Sequence, residues 1–147
     1  MSYTYPYPRP AVAADAVILS QQNGEWEVLL IQRKNEPFKD QWALPGGFLD
    51  KNEDPDHAVH RELQEETSLT DITLEPISFW GRPGRDPRGH IISLVYRGII
   101  SKDDHQPVAS DDAKALSWFA LKNLPVLAFD HKTVITDATK HLTTPNP

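Results

Sequence analysis

The chain of 147 residues contains no cysteine. Disulfide staples and thiol catalysis are therefore excluded, although this absence does not identify a compartment. No apolar run is long enough to span a bilayer. The first residues have neither a basic start nor an apolar stretch, so they do not read as a signal peptide. A cytoplasmic protein is the default expectation. Positive charge is also scarce: 15 Lys and Arg against 21 Asp and Glu leave a net charge of −6. That balance argues against a general partner role with nucleic acid or anionic membranes. An anionic ligand would need positive charge gathered locally, or a metal ion. Repeats and low-complexity tracts are absent as well.

With 39% apolar residues and four Trp, the chain suits one soluble globular domain over 1–147, large enough to bury a core. Residues 1–10 hold three Tyr and three Pro and read as an extended, ordered arm. Strands are predicted over 11–19, 27–33, 90–100 and 115–119, with a turn at 21–25. Residues 71–80 read as an edge or bent strand, because Pro76 interrupts them. Residues 81–89 carry two Pro, three Gly and three Arg and read as a loop. Residues 101–112 form an acidic loop. Asn123-Leu124-Pro125 is a turn, residues 130–142 fit a terminal helix capped by Asp130, and 143–147 read as a frayed tail. Strands and helices that do not alternate regularly indicate α+β, or an α/β/α sandwich with a mixed sheet.

The most informative stretch is 47–69. Asp54-Pro55 is a helix start, since Asp caps well and Pro at the first helical position loses no needed bond. No Gly or Pro follows before Thr67. At 100° per residue, Glu62, Glu65 and Glu66 fall within an arc of roughly 100°. Val59 and Leu63 lie beside that arc and give the helix an apolar stripe to bury. Like charges at Glu62 and Glu66, four apart, cost an isolated helix a few tenths of a kcal/mol, roughly. A solvated acidic face is the ordinary account of such a pattern. It leaves unexplained the turn Leu44-Pro45-Gly46-Gly47-Phe48 directly upstream, whose glycines let a carbonyl approach an ion or phosphate closely. Oxygen donors of this kind suit Mg²⁺ or Mn²⁺.

The spacing Gly47, five residues, Glu53, seven residues, Arg61-Glu62-Leu63-Gln64-Glu65-Glu66-Thr67-Ser68-Leu69 resembles the signature box of the Nudix hydrolases. Gly47, Glu53, Arg61, Glu62, Leu63, Glu65, Glu66 and Leu69 match. Ser68 departs, standing where the family has Gly to end the helix. Further segments are similar to the ADP-ribose pyrophosphatase branch across roughly residues 7–140: Tyr7-Pro8-Arg9-Pro10, Leu30-Ile31-Gln32-Arg33, Pro37-Phe38, Arg85-Asp86-Pro87-Arg88-Gly89 and Leu127-Ala128-Phe129-Asp130-His131. The resemblance implies an α/β/α sandwich, a divalent metal cofactor and hydrolysis of a nucleotide diphosphate, ADP-ribose giving AMP and ribose 5-phosphate. It also implies a homodimer, for which the Tyr/Pro arm offers packing or strand exchange.

Under that resemblance, Glu62, Glu65 and Glu66 are the expected metal ligands, with the Gly47 carbonyl beside them. Glu53 ligates a further metal or pairs with Arg61, and Arg61 holds the carboxylates in place. The general base is expected from the acidic loop, Asp112 before Asp111, Asp103 and Asp104, or from a box glutamate. Arg33, Arg82, Arg85 and Arg88 are candidates for neutralising phosphate, and Asp86 belongs to the same loop motif. A simple Arg–Asp pair stiffening the loop is the competing account. Phe38, Trp42, Phe79 and Trp80 are stacking candidates, although aromatic side chains are more often packing. His131 either touches substrate or pairs with its cap. Two rivals stand beside the enzyme: a domain that senses ADP-ribose without turnover, and a hydrolase of nucleoside triphosphates. The intact glutamates and a length that leaves little room for a DNA-binding domain favour an enzyme.

Overall fold

The computed structural model describes residues 2–110 and 113–142. Its elements, in chain order, are β1 (Ala11–Gln22), β2 (Glu25–Gln32), β3 (Trp42–Ala43), β4 (Gly46–Phe48), α1 (Pro55–Thr67), β5 (Glu75–Trp80), β6 (Ile91–Ile99), β7 (Ala115–Ala120), a short 3₁₀ turn at Leu121–Asn123, and α2 (His131–Thr139). The strands form one sheet in the order β3-β2-β1-β6-β5, with β4 paired to β1 and β7 to β2. β1 runs parallel to β6, and the other pairings are antiparallel, so the sheet is mixed.

Side chains alternate across a strand, and β1 uses both faces. Ala14, Ala16 and Ile18 meet Ala58, Val59 and Leu63 of α1 on one side. Val17 and Leu19 meet Val134, Ile135 and Ala138 of α2 on the other. This is the expected α/β/α sandwich. Burial of each Val or Leu in such a face is worth about 1.5–3 kcal/mol, which holds α1 despite its three glutamates. Among the described residues, no helix is long and apolar enough to cross a membrane.

Several boundaries differ from expectation for local reasons. β1 and β2 run on to a two-residue turn at Asn23-Gly24, where both residues have positive φ. Asn-Gly accepts that geometry, so the hairpin needs no longer turn. β5 begins at Glu75 rather than Asp71 and shifts register between Pro76 and Ser78, as an edge strand with proline should. α2 is shorter than predicted. Asp130 does not cap it through its side chain, because both carboxylate oxygens are taken by Arg85 at 2.7 and 2.9 Å.

The unusual end of α1 is resolved by Ser68. This residue adopts the left-handed conformation (φ 65°) that a glycine would supply, and its N–H donates to Gln64 O. Its hydroxyl donates to Val108 O at 3.0 Å. Residues 107–110 lie as a strap along the last turn: Val108 N donates to Thr67 O, Ser110 N to Glu66 O, and the Ser110 hydroxyl to Glu65 O. Left-handed backbone costs a non-glycine residue about 1–2 kcal/mol, and one hydrogen bond returns about 1 kcal/mol. Ser68→Gly is therefore expected to leave stability near the wild type. Ser68→Ala keeps the strain, loses the bond and should cost about 1 kcal/mol. Equal urea midpoints for the two variants would contradict this account.

Candidate active site

β4 connects the box helix to the sheet. Gly46 and Gly47 pair with Asp15 and Ala14 of β1. The backbone there is packed against carboxylates on both sides. A Cβ on Gly47 would lie 2.6 Å from the Glu62 carboxylate, and one on Gly46 would lie 2.1 Å from Asp15 Oδ1. Gly46 N–H donates to Glu66 Oε1 at 2.7 Å. The two glycines are thus required by close approach as well as by the positive φ of Gly46.

Arg61 is the hub of the box. Its Nε and Nη2 grip both oxygens of Glu53 at 2.7 and 2.8 Å. Nη1 donates to Glu62 at 2.9 Å and Glu65 at 3.2 Å, and Nη2 reaches Phe48 O. The Arg61 hydrogen bonds hold Glu53 well below the usual carboxylate range, and Glu53 in turn raises Arg61. Of the two roles open to Glu53, the arrangement here is the pairing with Arg61. The guanidinium stands among the glutamates, and Glu66 turns to Gly46. Among the described residues, no three His, Asp or Glu side chains converge closely enough to hold an ion. The donor set still fits a hard divalent cation: carboxylate oxygens packed against a side-chain-free glycine backbone, already gathered around one positive charge.

A pocket of about 90 Å³ lies beside this turn. Gly46, Gly47, Phe48, Arg33, Arg85, Asp86, Arg88, Asp15, Ser93, Phe129 and His131 all line it. The predicted arginines 33, 85 and 88 and Asp86 therefore come together from two separate segments, the end of β2 and the 81–89 loop. Arg33 and Arg88 lie 4.9 and 5.0 Å from the Phe129 ring, and Arg88 lies 4.8 Å from Phe48. Burial and then Arg88 lower the pKa of Arg33; as a guanidinium it stays charged. Asp86 grips Arg88 with both oxygens. Burial would raise Asp86, but the Arg88 bonds outweigh it and hold the carboxyl below its usual range. The Arg–Asp pair that competed with ligand binding is thus present, though it lies inside the pocket wall.

Other candidates fall elsewhere. Phe38 does not line the pocket; it packs edge-on against Phe129 at 4.8 Å and supports it. Trp42 packs on Phe119 at 4.9 Å, in the layer beneath α2. Both are packing residues because β3 turns Trp42 toward the core and the 33–41 loop folds Phe38 onto Phe129. Phe79 and Trp80 line a groove on the opposite edge strand. Arg82 is exposed in its loop, and Asp103 and Asp104 sit in a turn closed by Ser101. Asp111 and Asp112 lie outside the described residues.

Two pocket groups carry strongly shifted acidities. His131 opens α2, and its Nδ1 accepts from Leu44 N–H at 3.0 Å. Burial lowers its pKa to about 4. The ring is therefore neutral near pH 7, with its proton on Nε2. Asp15 was not anticipated, although a lone carboxylate inside the apolar run Ala11–Leu19 was a visible signal. It is buried and bonded to the Ser93 hydroxyl, which also accepts from Arg85 Nη1 at 2.9 Å. Burial, outweighing Ser93 and Arg85, pushes Asp15 up from 3.8 to about 7.

That shift has a sign that can be tested. Below its unfolded value Asp15 is protonated in both states. Between 3.8 and about 7 the folded chain keeps a proton that the unfolded chain has released, so stability falls as pH rises. His131 acts in the opposite sense, since its folded value lies below its ordinary one. Asp15→Asn should therefore gain on the wild type by about 4 kcal/mol between about pH 4 and pH 7. Denaturation curves at several pH values read the difference, and a constant gap would refute it.

A model of the NUDIX domain matches residues 9–138. The chain belongs to the Nudix hydrolase family. Its relatives place it in the branch that resembles ADP-ribose pyrophosphatases. It is 45% identical over 131 residues to an ADP-ribose pyrophosphatase of Methanocaldococcus jannaschii, covering 89% of this chain and 74% of that protein. It is 35% identical to the ADPR responsive transcriptional repressor NtrR of Acinetobacter baylyi, covering 90% of this chain but 54% of the repressor. Among solved structures, the NUDIX domain of Shewanella oneidensis NrtR complexed with ADP ribose superposes with a TM-score of 0.85 at 30% identity, covering 95% and 94% of the two chains.

Proposed function

We propose that the protein hydrolyses the diphosphate of ADP-ribose to AMP and ribose 5-phosphate. The observation that carries this reading is the meeting of two guanidiniums, Arg33 and Arg88, with the Gly46-Gly47 turn in one pocket, directly beside the glutamate helix. The arginines bind the phosphate oxygens, and the ring of Phe129 holds both guanidiniums in register. Glu62, Glu65, Glu66 and the Gly47 carbonyl would hold Mg²⁺ or Mn²⁺, which supplies charge neutralisation on the diphosphate oxygens. Arg61 orients the glutamates. Water attacks one phosphorus as the P–O bond of the diphosphate breaks, and a carboxylate, Asp112 or a box glutamate, takes the proton from that water. The likeness to an ADP-ribose pyrophosphatase at 45% identity supports the substrate.

Product assays on ADP-ribose, NADH, dinucleoside polyphosphates and nucleoside triphosphates, with Mg²⁺ or Mn²⁺, test the reading. Turnover of ADP-ribose above the others is expected. Kinship with NtrR and NrtR supports a second reading, a domain that binds ADP-ribose without cleaving it. Binding without product under either metal would establish that reading instead. The exposed Tyr3, Tyr5 and Tyr7 of the arm support packing across a homodimer, and sedimentation as a monomer would overturn it.

A further inference from the structure

The pocket is graded along its depth. At the exposed end stand Arg88 and Phe48, with half-buried Arg33 and Phe129. At the buried end stand Asp15, Ser93 and His131, each less than a tenth exposed. The exposed end suits phosphate. The buried end does not: Arg85, the cation there, already spends its guanidinium on Asp130, Ser93 and Ile91 O. What remains is an acceptor and a donor lining one cavity. Asp15 offers carboxyl oxygen, with one of its bonds taken by Ser93. His131 offers Nε2–H, because its Nδ1 is engaged by Leu44 N–H. A neutral donor and an acceptor in one cavity match the hydroxyls of a sugar rather than a charged group.

The geometry points to Asp15 and His131 as the pair that recognises neighbouring hydroxyls of the terminal ribose, so that the sugar enters first and the diphosphate follows between Arg33 and Arg88. This rests on ADP-ribose being the ligand and adds which residues select its sugar end. A site built to pair a hydroxyl discriminates strongly against an analogue that lacks it, because its own polar groups are then left buried and unpaired.

The test compares ADP-ribose with an analogue deoxygenated on the terminal ribose, and with ADP, which lacks that ribose, as an inhibitor. On the wild type the deoxy analogue should lose at least about tenfold in kcat/KM. Asp15→Ala, which removes the acceptor, should raise KM for ADP-ribose by about tenfold, leave inhibition by ADP within about twofold, and shrink the penalty for the deoxy analogue. Equal wild-type kcat/KM for both substrates overturns the assignment, even if Asp15→Ala does not fold. So does a variant in which ADP weakens as much as ADP-ribose. Wild-type protein that neither binds nor cleaves ADP-ribose removes the underlying function as well, and is distinguishable because no substrate comparison then exists.

Discussion

Replacing Glu66 by Gln should lower turnover of ADP-ribose by about two to three orders of magnitude while the fold survives. The argument separates two jobs of one side chain. Glu66 is nearly buried, and its Oε1 accepts from Gly46 N–H. Gln retains an acceptor of the same shape, so the turn keeps its bond. The negative charge is lost, and with it one of the proposed ligands for the divalent ion. A cation that neutralises transition-state charge is worth several kcal/mol, and each 1.36 kcal/mol is about tenfold in rate. Glu65→Gln should fall comparably. Glu65 is the more exposed, paired with Arg61 on one side, and its loss touches packing less still. Circular dichroism and initial rates with Mg²⁺ measure the two jobs separately. Near-normal rates in both variants would sink the ligand assignment.

Gly46→Ala should destabilise the protein by about 4 kcal/mol, at the high end for one methyl group. The new Cβ would meet Asp15 Oδ1 at 2.1 Å, Ala14 O at 2.5 Å and Asp15 Cα at 2.7 Å. Two of those atoms are backbone of a central strand and have nowhere to go. The position also has a φ of +155°, which side chains avoid. Gly47→Ala makes the instructive contrast. Its Cβ would meet the end of the Glu62 side chain at 2.6–2.7 Å, and a side chain can swing aside. That variant should fold normally yet lose activity, because Glu62 leaves its place. Urea denaturation distinguishes them, and a Gly46→Ala midpoint close to the wild type would refute the packing argument.

Much of the frame was legible because local patterns agree with the tertiary result. Asp54 accepts from Asp56 N as an N-cap, and Val59 and Leu63 face the sheet as their spacing required. Arg61 reaches Glu53 eight residues away because two helical turns and an extended stretch fold back together. Whether Phe38 and Trp42 pack or stack on a ligand was not decided by the sequence, since chemistry alone does not say which way a short strand or a loop turns an aromatic ring. Asp130 read as a helix cap, but a guanidinium from 45 residues away outcompetes the local N–H groups. Asp15 was visible as a charge in an apolar run, but its partner Ser93 comes from a parallel neighbour far along the chain. Ser68 read as an irregular helix end, and its remedy, the 107–110 strap, depends on a long-range contact.

That strap has an electrostatic consequence. The last turn of α1 contains no basic side chain, and Pro107-Val108-Ala109-Ser110 meets its carbonyls with neutral groups alone. A helix C-terminus carries the equivalent of roughly half a negative elementary charge. Glu65 and Glu66 project from that same turn, so the peptide dipoles add to the field of the carboxylates instead of being cancelled by a lysine or arginine at the cap. Part of the attraction for a cation therefore comes from the backbone, and this part persists when a single glutamate is neutralised.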